Sequence, residues 1–120
     1  MSKAKRNIQE HYDLTGLFHH FLDQTMSYSS AMFQYPSQSL HDAQINKINS
    51  TVYSLRLQPG DEVLEIGSGW GGVALAIAKR GNRVHGLTLS EEQMAYCNQL
   101  AVSEGLSHLM TFELVRNTCF

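Results

Sequence analysis

The chain has 120 residues, of which 42% are hydrophobic and 17% charged. That is one domain or part of one, and too apolar a composition for a disordered chain. A net charge of -2 exerts no long-range pull on nucleic acid, so no nucleic-acid partner is expected. The two cysteines, Cys97 and Cys119, form no C-x-x-C pair, which excludes a disulfide framework or zinc knuckle and favours a reducing cytosol.

No apolar run approaches the ~20 residues of a membrane span. The start, Met1-Ser2-Lys3-Ala4-Lys5-Arg6, is basic but leads into no apolar stretch, so it is not a secretory signal. It reads as a solvated end whose cations could each add about 1 kcal/mol at an anionic lipid surface. Leu14, Leu17, Phe18, Phe21 and Leu22 then mark one face of a short helix, ended by Asp23-Gln24-Thr25. Residues 26–33 are rich in hydroxyls and aromatics without a period, and Pro36 marks a turn. Ser39 and Asp42 form an S-x-x-D cap on a second helix, with Ile45, Ile48, Val52 and Leu55 as its expected buried stripe. It closes before the Pro59-Gly60 turn. The six histidines give no ligand set: His19 and His20 point to different sides of a helix, and His11, His41, His85 and His108 are scattered, so no metal is expected.

The second half reads as strand–helix–strand–helix–strand. Glu62 to Ile66 is strand one. Gly72 to Lys79 is a helix, with Val73, Ala76, Ile77 and Arg80 in line and Gly81 as its stop. Arg83 to Thr88 is strand two. Ser90-Glu91-Glu92-Gln93 is a capping box opening a helix to about Glu104, before Gly105. Met110, Phe112 and Leu114 alternate as strand three. Right-handed crossovers make this a parallel βαβαβ half-sheet of order 3-2-1, with ligand beyond the carboxyl ends of strands one and two.

Between strand one and its helix lie four glycines in six residues, Gly67-Ser68-Gly69-Trp70-Gly71-Gly72. Such a turn lets backbone approach a ligand, and the following helix aims its positive end there. The spacing satisfies G-x-G-x-x-G, the dinucleotide fingerprint, but that pattern needs an acid at the end of the next strand. His85-Gly86-Leu87-Thr88-Leu89-Ser90 has none. Instead Glu65 precedes the first glycine by two. The resulting E-x-G-x-G-x-G resembles motif I of S-adenosylmethionine-dependent methyltransferases, and an acid there suits a cationic ligand and repels a pyrophosphate.

Four strings extend the resemblance over most of the chain: Asn7-Ile8-x-x-His11-Tyr12-Asp13-Leu14; Phe21-Leu22-Asp23-x-Thr25-Met26-x-Tyr28-Ser29-Ser30-Ala31-x-Phe33; Leu64-Glu65-Ile66-Gly67-x-Gly69-Trp70-Gly71-Gly72; and Gly86-Leu87-Thr88-Leu89-Ser90-x-x-Gln93. In this order and spacing they resemble the cyclopropane-fatty-acyl-phospholipid synthases and the related mycolic acid cyclopropane synthases. The resemblance implies an α/β, Rossmann-like methyltransferase fold preceded by N-terminal helices. Residues 1–58 would form a helical lid region and 59–120 the cofactor-binding half. It implies transfer of a methylene unit from S-adenosylmethionine to the cis double bond of unsaturated phospholipid acyl chains at a membrane surface. There the alkene attacks the sulfonium methyl, and the carbocation loses a proton to bound bicarbonate and closes the ring.

By the same resemblance, Tyr28 and Ser29 belong to the loop over the methionine end, Gly67, Ser68 and Gly69 to the turn beneath it, and Thr88, Leu89 and Gln93 to the segment that meets the ribose. Ser30, the one candidate catalytic position, stands where relatives have a cysteine beside the bicarbonate; a backbone donor survives there but no thiol. Tyr28 also reads as a core aromatic and Gln93 as the second half of its cap. The resemblance covers the cofactor half alone: relatives continue past strand three with the adenine contacts, the acyl pocket and the rest of the bicarbonate site, and Arg116-Asn117-Thr118-Cys119-Phe120 does not match them. The expectation is a cytoplasmic protein, peripheral at the inner membrane face, inactive by itself and prone to homo-oligomerise through its open sheet edge. A methyltransferase with another acceptor and a non-catalytic cofactor-binding fragment are the alternatives.

Overall fold

A computed structural model describes residues 22–116. Helix α1 (Leu40–Ser54) is followed by strand β1 (Glu62–Ile66), helix α2 (Gly72–Lys79), strand β2 (Arg83–Thr88), helix α3 (Glu91–Ser103) and strand β3 (Met110–Leu114). The sheet is parallel, in the order β1-β2-β3, with Glu62 opposite Arg83 and Val84 opposite Met110. This is the expected half-sheet, and the punctuation explains why. Ser39 accepts the Asp42 amide at 3.1 Å and Ser90 accepts that of Gln93 at 3.2 Å, so both helices start at the anticipated hydroxyls. Before β1, Asn82 clamps the Pro59-Gly60 turn by donating to the carbonyls of Gln58 (2.9 Å) and Asp61 (3.0 Å).

The strands step in one direction, so right-handed crossovers put α2 and α3 on the same face. There Ala74, Ile77 and Ala78 of α2 and Ala101 of α3 meet Val84 and Met110, while Ile48 and Val52 of α1 close the layer from outside α2. Two expected stripes are corrected. The buried line of α2 is Ala74, Ile77 and Ala78, with Arg80 exposed; in α1, Ala43 and Gln44 join Ile48 and Val52, while Leu55 is exposed. The crossover helices do not cover Leu64 and Ile66. Strand alternation aims both at the other face, where they are 61% and 69% exposed. No helix among the described residues is long and apolar enough to cross a membrane. The expected helix over residues 14–22, the His11 string and Cys119 lie outside the described residues, apart from Leu22 itself.

Candidate functional site

At the carboxyl ends of β1 and β2 the chain leaves the sheet in diverging turns, and a crevice of about 190 Å³ opens between them. Gly67, Gly69, Thr88, Leu89 and Gln93 line it, with Tyr28 closing one side. Six of the nine sequence-chosen residues thus meet in one place. Ser68 lies beneath the turn, nearly buried. Ser29 and Ser30 are exposed and do not line the crevice.

The turn is built by its own backbone. Gly67 and Gly69 have φ of 79° and 56°, a region that costs other residues strain. The amides of Gly67 and Ser68 both donate to the Leu87 carbonyl at 3.0 Å, so they bind the turn to β2 rather than facing a ligand. A Cβ on Gly69 would stand 3.5 Å from the Tyr28 ring, which shows how closely that ring approaches the turn.

Around this floor sit three buried polar groups: Gln93 Nε2, which has no hydrogen-bond partner, and the Glu65 carboxyl and Ser68 hydroxyl, which act on each other. Burial pushes the Glu65 carboxyl up to about 7, a shift that the nearby Ser68 hydroxyl opposes. The Gln93 amide N–H caps onto Ser90, while its side chain reaches the crevice. The Ser90 amide donates to Thr88 Oγ1 at 3.4 Å, tying the end of β2 to the start of α3. Underneath, Trp70 packs edge-on against Tyr96 with ring centroids 5.3 Å apart, and the Cys97 thiol donates to the Gly69 carbonyl at 3.4 Å.

Tyr28 belongs to a segment pinned by residues that sequence reasoning missed. Asp23 accepts the Thr25 hydroxyl at 2.7 Å and pairs with His41 Nδ1 at 2.9 Å. Buried Gln44 donates from Nε2 to the carbonyls of Ser29 (2.9 Å) and Ser27 (3.2 Å). Lys47 donates to the Ser29 hydroxyl; burial lowers its pKa and the Asp23 charge partly restores it. The available signal was spacing: Gln44, Ile48 and Val52 repeat every four residues, so Gln44 is a polar residue on a buried stripe. A larger groove of about 520 Å³ lies between the helices; Gln93 lines the crevice and not this groove.

The mycolic acid cyclopropane synthetase family matches residues 1–117. The chain belongs to that family. Among curated relatives, a probable fatty acid methyltransferase of Mycobacterium tuberculosis is 43% identical over 103 residues, covering 85% of this chain and 24% of that protein. Cyclopropane mycolic acid synthase 1 of the same species is 45% identical over 103 residues, covering 83% and 36%. This cyclopropane synthetase-family chain therefore spans about a quarter to a third of the curated relatives it matches. The crystal structure of a mycolic acid cyclopropane synthase complexed with SAH and CTAB superposes with a TM-score of 0.85 at 35% identity, over 96% of this chain and 41% of that one. Coclaurine N-methyltransferase bound to SAH shares the fold with a TM-score of 0.82 at 22% identity.

Proposed function

We propose that the chain binds S-adenosylmethionine in the β1–β2 crevice, as the cofactor half of a lipid-modifying methyltransferase. One observation carries this reading. Gln93 Nε2 is buried, unpartnered and set in the crevice beside a glycine turn, and the buried Glu65 carboxyl and Ser68 hydroxyl, which act on each other, belong to that turn and the strand end before it. Buried polar groups are rarely left unsatisfied, so this amide fits a ligand that offers an acceptor. A cationic sulfonium and ammonium suit a carboxyl held near neutrality, which a pyrophosphate does not. The crystal structure of the cyclopropane synthase relative with SAH supports the same assignment.

When bound, the cofactor supplies an electrophilic methyl group. In this reading Tyr28 and Ser29 cover the methionine end, the segment over residues 1–58 acts as a lid, and Gly67, Ser68 and Gly69 form the floor of the 59–120 half. Thr88, Leu89 and Gln93 meet the ribose. Ser30, exposed and outside the crevice, is where a backbone N–H would help to hold bicarbonate, which would supply the proton acceptor. The acceptor is the cis double bond of an unsaturated phospholipid acyl chain at the cytoplasmic membrane face. At 190 Å³ the crevice is smaller than the ~300–1,000 Å³ of complete ligand pockets, which fits one wall of a shared site. This chain alone is then expected to bind cofactor weakly and to turn nothing over.

Calorimetry tests the ligand: saturable heat with S-adenosylhomocysteine and none with NAD is expected, and the reverse overturns the assignment. Turnover is tested with labelled S-adenosylmethionine, bicarbonate and vesicles of unsaturated phospholipid. Label in cyclopropane fatty acid above a no-protein control would show that the chain is a self-sufficient enzyme.

A further inference from the structure

Helix α3 carries Gln93 and Cys97 four residues apart, hence on one face. Gln93, 4% exposed and with its Nε2 unpartnered, reaches into the crevice. Cys97, fully buried, lies against the underside of the glycine turn. Its thiol donates to the Gly69 carbonyl at 3.4 Å, and a Cβ on Gly71 would come within 3.0 Å of its sulfur. The sulfur therefore lies against the turn at Gly69 and at Gly71. Next to it in sequence, Tyr96 meets Trp70, the residue between those glycines, edge to face.

We propose that Cys97 is a positioning residue for the cofactor turn: it acts through the Gly69 carbonyl to hold Gly67 and Gly69 at the height where they and Gln93 line the crevice. The thiol suits this task. It is a soft, polarisable contact that fits under a tight turn and still donates one weak hydrogen bond. Burial and the neighbouring Glu65 carboxyl push its pKa up to about 12, so the proton stays in place at every physiological pH and the group neither ionises nor reacts. The sequence signal was a cysteine without a partner, which by itself says nothing. The geometry adds a hydrogen bond to the ligand-side backbone, and an orphaned amide one turn earlier on the same helix.

The inference rests on the crevice being the cofactor site, and the test separates the two. Cys97→Ser keeps a donor and Cys97→Ala removes it. In ligand-free protein the amide resonances of Gly69, Trp70 and Gly71 should move or broaden in Cys97→Ala and return towards wild type in Cys97→Ser. S-adenosylhomocysteine affinity should fall roughly three- to tenfold in Cys97→Ala, the scale of one hydrogen bond, with partial rescue in Cys97→Ser. A Cys119→Ser background leaves Cys97 as the one thiol, so its S–H stretch is read by Raman spectroscopy with Cys97 itself intact. The band should lie at the lowered frequency of a hydrogen-bonded donor. A free-thiol band, or equal turn resonances and equal affinities in both Cys97 variants, would overturn the proposal. Perturbed turn resonances with no S-adenosylhomocysteine binding even in wild type would leave the strut standing and overturn the ligand assignment instead.

Discussion

Glu65 couples the site to pH. The folded chain holds its proton up to about pH 7, whereas an unperturbed carboxyl releases it near 4.5. The native state thus binds more protons between these values, so stability falls as pH rises through that window and levels off above it. The drop is at most ~3–4 kcal/mol at 1.36 kcal/mol per unit. Glu65→Gln should flatten the slope in urea melts run from pH 4.5 to 8; an unchanged slope would mean that the burial has little effect on the carboxyl. A cationic ligand reverses the preference, so binding near pH 6 should release a proton, visible as buffer-dependent heats. Gly86 makes a second residue-scale prediction. A Cβ there would collide with the Ser68 hydroxyl and come within 2.7 Å of the Phe112 ring. Gly86→Ala should therefore cost about 1–3 kcal/mol by overpacking, and displace the turn through Ser68. The sequence marked Gly86 as part of a string; it did not say that the glycine makes room for a neighbouring strand's side chain.

At the scale of elements, legibility followed punctuation. All three strands and the three helices over the described residues stand where Ser39, Ser90, Gly81, Gly105 and the Pro59-Gly60 turn put their ends. Which face each helix buries was harder to read. Between its ends α2 runs Val-Ala-Leu-Ala-Ile-Ala, apolar all round, so a 3.6-residue period selects no side; the neighbours decide, and they chose Ala74, Ile77 and Ala78. In α1 the polarity of Gln44 hid a buried position. That side chain fixes two carbonyls of the Tyr28 segment from a different element, a contact about 15 residues distant in sequence and invisible to local pattern. Gln44→Ala should lower stability by about 1–2 kcal/mol. It should also weaken S-adenosylhomocysteine binding several-fold by freeing Tyr28, as measured by calorimetry. Unchanged affinity with lowered stability would make the segment mere packing.

For the whole molecule the outcome is asymmetry. Among the described residues one sheet face carries all the helices, and the other presents Leu64 and Ile66 beside His85, Thr111 and Glu113. His85 bonds Thr111 at 2.7 Å and Glu113 at 3.3 Å, so the polar part of this face is internally satisfied and the apolar part is not covered. Sequence reading missed this because alternation within a strand says that faces differ, not which of them a helix will reach. An apolar face next to a strand edge that no described residue pairs favours association. Sedimentation velocity should show concentration-dependent self-association that the double variant Leu64→Lys, Ile66→Lys suppresses. A monomer at every concentration in the unmodified chain would count against it.

The position of β1 at the end of the order β1-β2-β3 has one more consequence. A parallel edge strand gives hydrogen bonds to one neighbour with every second amide and turns the rest outward. In deuterated water the amides of β1 should therefore exchange in a two-residue rhythm, one slow and the next fast, while β2, flanked on both sides, exchanges slowly throughout. Whatever next pairs with that edge, a second copy or another segment, should erase the rhythm without moving a single atom of the core.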